Sequence, residues 1–169
     1  MSQLKVNSIV PVGGLPSGAN GGIIQVVQAV KSDTQTTTSS FGNWVDITGL
    51  SVTITPSSSS NKILVNYSLN VSSSSVIVGV KLLRGSTAIG EGDGSPQTSN
   101  YKASLFAWSG GNQLSTMAKN LLDSPATTSA TTYKLQFAGH SGGTIGINHF
   151  VGTTNYLTDS SLTVMEVTV

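Results

Sequence analysis

Tyr133-Lys134-Leu135-Gln136-Phe137 places an apolar side chain at every second position, with Lys134 and Gln136 between. A period of two marks an extended chain with one dry face and one wet face, because successive side chains of a strand point to opposite sides. Ser51-Val52-Thr53-Ile54-Thr55 and Leu162-Thr163-Val164-Met165-Glu166-Val167 repeat the pattern. No stretch of helical length carries apolar residues at 3.6-residue spacing. Each dry face needs a second apolar layer. The pattern therefore predicts an all-β fold, two antiparallel sheets stacked as a jelly-roll-like sandwich.

Outward from these runs, strands are expected at 23–31, 44–47, 50–55, 62–71, 76–84, 87–91, 101–109, 114–122, 132–138, 144–150 and 161–169. Some of these should merge, leaving eight to ten true strands. Turn chemistry separates them: Pro56-Ser57-Ser58-Ser59-Ser60-Asn61, Gly92-Asp93-Gly94-Ser95-Pro96 and Ser141-Gly142-Gly143 are rich in residues that close turns. Val76-Ile77-Val78-Gly79-Val80 is apolar on both faces, so this strand is expected to be covered from both sides. The second cover is either another subunit or a junction within the domain.

The chain has 169 residues, enough for one domain with a core. Only 9% are charged, whereas 47 are Ser or Thr, so hydroxyl groups take over the solvation of the surface. Thr favours strands, and Ser competes with helix hydrogen bonds. A net charge of +1 with a single Arg, Arg84, offers no electrostatic footprint for nucleic acid. It also permits copies to pack without self-repulsion. Cysteine is absent, which excludes disulfides and thiolate metal sites. No run approaches the roughly 20 apolar residues of a membrane-spanning helix. Met1-Ser2-Gln3-Leu4-Lys5 lacks the apolar run of a secretory signal, and the sequence reads as one made in a cytoplasm.

Residues 1–21 differ from the domain expected at 22–169. Leu4, Val6, Ile9, Val10 and Val12 precede a stretch containing Pro11, Gly13, Gly14, Pro16, Gly18 and Gly21. This composition predicts an extended arm with a flexible joint, its apolar residues docking on a neighbouring chain.

Acid-base chemistry needs perturbed groups converging in a pocket, and the inventory is seven carboxylates and two His. Glu91 and Asp93 flank Gly92 in a Gly-rich stretch and read as turn residues rather than a glycosidase pair. His140 and His149 match no metal-ligand spacing. No nucleophile elbow, phosphate loop or dinucleotide fingerprint occurs. The reading is a non-enzymatic protein without metal or cofactor. Trp44, Trp108, Tyr67, Tyr101, Tyr133 and Tyr156 are the rings able to stack on sugars, most of them expected in core or rim packing. Trp108, beside Ser109-Gly110-Gly111, and Tyr156, within Thr153-Thr154-Asn155-Tyr156, are the candidates for receptor-facing loops.

Leu4-Lys5-Val6-Asn7-Ser8-Ile9, Gly21-Gly22-Ile23-Ile24-Gln25-Val26-Val27, Ile47-Thr48-Gly49-Leu50-Ser51-Val52-Thr53-Ile54-Thr55-Pro56, Leu122-Asp123-Ser124-Pro125 and Thr131-Thr132-Tyr133-Lys134-Leu135 together resemble a group of tailed-phage virion proteins of cyanophages and marine phages. The resemblance spans nearly the whole chain and carries no catalytic motif. It implies a tail-fibre-type structural protein on the virion surface, often trimeric, with other virion proteins and a host surface as partners, a host glycan among the candidates. The sequence departs from long fibres in having neither heptads nor a fixed-period repeat. A short fibre or fibre tip joined by its arm fits this departure, and so does a decoration protein gripping a capsid lattice.

Overall fold

The computed structural model describes residues 22–74, 76–93, 101–109, 113–153 and 155–169. The expected arm, with Leu4, Val6, Ile9, Val10 and Val12, lies outside them. The described chain forms β1 (Ile23–Lys31), β2 (Gln35–Thr37), β3 (Val45–Ile54), β4 (Lys62–Ser73), β5 (Val76–Arg84), β6 (Thr87–Ile89), β7 (Leu105–Ser109), β8 (Leu114–Asp123), β9 (Thr131–Gly139), β10 (Ile145–Ile147) and β11 (Ser160–Val167), with one 3-10 turn at His140–Gly142.

Three pairs of short strands share lanes. β11 and β10 lie end to end along one side of β4, with β8 on its other side, and β1 and β2 follow them at the sheet edge. β7 and β6 likewise share one side of β5, with β9 and then β3 on the other. The first sheet thus reads β8, β4, β11/β10, β1/β2, and the second β3, β9, β5, β7/β6. With lanes numbered in chain order, the orders are 6-3-8-1 and 2-7-4-5. Paired hairpins wrapped across two antiparallel sheets in this way make a jelly roll.

Alternation supplies the core. Ile63, Val65, Tyr67 and Leu69 of β4 meet Tyr133, Leu135 and Phe137 of β9, with Val80, Leu82, Leu162 and Val164 completing the layer. Each such side chain contributes about 1.5–3 kcal/mol of burial.

The strand pattern departs from expectation where the backbone breaks its period. Runs 44–47 and 50–55 are one strand, because Gly49 at φ 86 lets β3 bulge without ending, and its pairing with β9 shifts register between Asp46 and Ser51. The run expected from 101 begins pairing only at Leu105. β2 falls outside the expected pattern, since Gln35-Thr36-Thr37 carries no apolar alternation. The run expected to reach Phe150 stops at Ile147, because Asn148 at φ 63 turns the chain out of the sheet. The Asn148 amide donates to Lys31 O at 2.7 Å and Asp33 O at 3.0 Å, tying the break between β10 and β11 to the break between β1 and β2.

Register fixes the two ends of the sandwich. At one, Ile23, Val167 and Lys62 lie abreast, joined by connections 55–61 and 124–130. Arg84 there pairs with Asp123 at 2.8 Å across the sheets, and the Tyr133 hydroxyl donates to the same carboxylate at 2.7 Å. At the other end lie connections 38–44 and 140–144, with the β4 to β5 turn.

Candidate functional site: an aromatic cleft on the second sheet

Along β5, Val78, Val80 and Leu82 point into the core, so Ile77, Gly79 and Lys81 face outward. Gly79 leaves bare backbone there. A Cβ at this position would lie 2.8 Å from Trp44 Cη2, 2.9 Å from Phe41 Cε1 and 3.0 Å from Phe106 Cε1. Three rings converge on the one residue without a side chain.

Each ring is brought by a different local device. Connection 38–44 runs beside the end of β9, where Phe41 N donates to Gly139 O at 3.0 Å and Gly139 N donates to Ser39 O at 2.9 Å. This swings Phe41 and Trp44 over the sheet. Phe106 stands on β7 directly opposite Gly79. Tyr101 arrives through Ser104, whose backbone N–H donates to Val80 O at 2.8 Å and whose hydroxyl accepts from Leu82 N at 3.0 Å. His140 comes from the 3-10 turn after β9.

Phe41 is the hub. Its centroid lies 4.7 Å from Tyr101, 5.5 Å from Trp44, 5.5 Å from Phe106 and 5.9 Å from His140. The Trp44 ring is nearly parallel to it, at 14°, whereas Tyr101, Phe106 and His140 are inclined by 54–67°. Inclined rings make walls. Phe41, Ile77, Tyr101, Phe106 and His140 enclose a cleft of about 470 Å³. A second cleft of about 560 Å³ shares Tyr101 and Phe106 and continues toward Glu91, Asp93, Lys102 and Lys119. The combined groove is aromatic at one end and charged at the other.

Lys81 links the halves. Its ammonium sits 4.8 Å from the Trp44 centroid and 3.1 Å from Glu91 Oε1. Beside it, Asp46 accepts from Lys134 at 2.9 Å and from Gln136 at 2.7 Å. The Lys134 bond, with Gln136 adding to it, outweighs the desolvation of the Asp46 carboxyl and holds it below its usual range. The Lys119 ammonium donates to Ser104 O at 3.0 Å and to Gly90 O, pinning the floor of the charged half to the first sheet.

Outward cover for β5 therefore comes from Phe41, Trp44 and Phe106 of the same chain. Of the two receptor-facing candidates, Trp108 stands outward on β7 with 67% of its surface exposed, and Tyr156 is 65% exposed beside Phe150 in the excursion between β10 and β11. They belong to different sheets and do not form one site. Glu91 lines the charged half and is ion-paired rather than simply solvated. His149 is buried, its Nδ1 3.0 Å from Ile147 O. Among the described residues no group of three His, Cys, Asp or Glu is placed to hold a metal ion. Phe41, Phe106 and His140 are site residues that the sequence does not mark as such. The available signal is Gly79, a residue with no side chain in an otherwise apolar run.

The outer face of the first sheet is of another kind. Val26, Met165, Leu64 and Leu122 lie abreast across its four lanes. The next outward rows are Gln28, Thr163, Asn66 and Asn120, then Val30, Ser161, Ser68 and Ala118. None of these twelve is charged. Val26 and Leu122 keep 57% and 54% of their surface exposed.

No protein-family model matches the chain, and no curated protein does. Among solved structures, it is similar to infectious bursal virus-derived T=1 particles, with 16% identity and a TM-score of 0.45 over 98% of this chain and 41% of that one. A second is a viral particle of infectious bursal disease virus, with 16% identity and a TM-score of 0.42 over 85% and 37%. A third is that virus's VP2 subviral particle, with 15% identity and a TM-score of 0.41 over 85% and 39%. The chain spans about two fifths of the length of these proteins.

Proposed function

We propose that the protein is a non-catalytic structural component of a phage virion, a trimeric fibre-type surface appendage anchored through residues 1–21 and attaching to the host surface. The observation that carries this reading is the outer face of the first sheet, whose three rows from Val26 to Val30 carry no charge. A face of Val, Leu, Met, Asn, Ser and Thr meets a copy of itself without placing like charges together or stripping water from an ion. An apolar row with two members more than half exposed gains by being covered.

The placement of the chain ends supports the same reading. Gly22, where the arm joins, is bonded to Thr168 at the end of the sandwich that carries connections 55–61 and 124–130. The aromatic cleft draws Phe41, Trp44 and His140 from the opposite end. An arm holding the particle leaves the cleft facing away from it.

Sedimentation equilibrium of the full chain tests the assembly, with three times the chain mass expected. Adsorption inhibition tests the attachment, since free protein should block phage adsorption. A monomer that neither binds host cells nor blocks adsorption overturns the proposal. Immunogold labelling of purified heads instead of tails would make the protein a capsid decoration protein.

A further inference from the structure

We infer that the cleft formed by Phe41, Tyr101, Phe106 and His140 over Gly79 is a carbohydrate-binding site that takes a pyranose ring on the aromatic walls and a second sugar residue toward Lys81 and Glu91. This rests on the reading of the protein as an attachment appendage and assigns the ligand class and place of contact.

The amphipathic nature of the groove selects the occupant. Sugars present C–H faces that pack on aromatic rings and a rim of hydroxyls that donate and accept hydrogen bonds. Tyr101 and Phe106 offer partly exposed rings, inclined about Phe41 so that a ring inserted between them touches more than one wall. Around them stand His140 in the aromatic half and Glu91, Lys102 and Lys119 in the charged half, with Lys81 holding Glu91 from behind. Glu91 Oε1 is buried against the Lys81 ammonium at 3.1 Å, which fixes the position of the carboxylate at this wall.

A second copy of the chain fits less well. An apolar partner over this groove would desolvate Glu91, Asp93, Lys102 and Lys119 together, at several kcal/mol per ion unless each found a new partner. A hydroxylated ligand leaves those charges hydrated or hydrogen-bonded. The cleft volume of about 470 Å³ lies within the range of small-molecule sites. Individual affinities for such shallow sites are weak, and three copies on one appendage raise the effective strength by avidity.

The test is a defined oligosaccharide array probed with the full-length protein, followed by calorimetry on any saccharide it retains. Wild type should bind at least one structure. Phe106→Ala and, separately, Tyr101→Ala should weaken that binding at least tenfold while leaving strand content by circular dichroism and sedimentation mass unchanged. Trp44 lies against Phe41, so saturating saccharide should also change the tryptophan emission of wild type. An array without a hit overturns the inference, as does a hit whose affinity is untouched in both variants. Sedimentation mass and adsorption inhibition are read independently. A trimer that blocks adsorption but ignores sugars sinks this site alone, whereas a monomer inactive in adsorption sinks the appendage reading.

Discussion

Glu166 occupies an inward-facing position of β11 where alternation calls for an apolar residue, and only 1% of its surface is exposed. One of its oxygens accepts from Ser57 N at 2.7 Å, Ser57 Oγ at 2.7 Å and Asn61 Nδ2 at 2.6 Å. A turn rich in serine is thereby stapled beneath the end of the sheet. Burial opposes the charge on this carboxyl, but the bonds from Asn61 and Ser57 outweigh it and hold the group below its ordinary value. Glu166→Gln removes the charge-assisted part of these bonds, expected to cost about 1.5–3 kcal/mol. For a domain of this size that is roughly 3–12 °C in melting temperature, measured at pH 7 by circular dichroism. Because the folded carboxyl titrates lower than the unfolded one, its contribution is complete above about pH 4.3 and disappears as pH falls through the folded value. The gap between wild type and variant should therefore close below about pH 4. Sequence alone shows Glu166 only as an acid on an alternating strand; its partners lie more than a hundred residues away.

Asn148 shows how single residues set the elements. Its left-handed backbone ends β10, and its amide caps the carbonyls left open where β1 breaks before β2. Asn148→Ala should cost about 2–4 kcal/mol, from one buried and one part-buried carbonyl losing their donor and a Cβ strained at positive φ. Asn148→Gly, free of the strain, should fall between Ala and wild type in denaturant melts. On the first sheet, the row Val26, Met165, Leu64 and Leu122 gives an element-level prediction. Leu122→Asp places a charge at its exposed edge and should shift sedimentation from trimer to monomer with strand content by circular dichroism unchanged. Retention of the trimer would exclude this face as the contact. The long strands are legible in the sequence because burial on one side enforces period two: β1 and β5 carry the expected bounds, and β4, β8, β9 and β11 differ by one or two residues at either end. β2 is not, since three polar residues gain their strand from the neighbouring β10 rather than from any pattern of their own. The aromatic cleft is not legible for a related reason. Its rings come from connection 38–44, from Tyr101, from β7 and from the turn after β9, and only the folded register brings them onto Gly79.

At the scale of the molecule, the proposed appendage would divide its work between the two sheets: rows without charge on the first for sister copies, and an aromatic cleft on the second. Both are built from residues after 22. The described core members span Val27 to Val164. Removing residues 1–21 should leave the melting temperature within about 3 °C of the full chain, a shift of roughly 1 kcal/mol for a domain of this size. Trimer mass and saccharide binding should also persist. What should disappear is incorporation into particles, measured as the fraction of tagged protein that co-sediments with virions produced in cells expressing only the truncated chain. The reason is positional. Gly22 is bonded to Thr168 at the end of the sandwich away from the aromatic cleft, so on the proposed reading the anchor and the outward contacts are separable. If the truncated chain still assembles onto virions, attachment runs through the domain, and the uncharged rows of the first sheet become the surface that grips the particle.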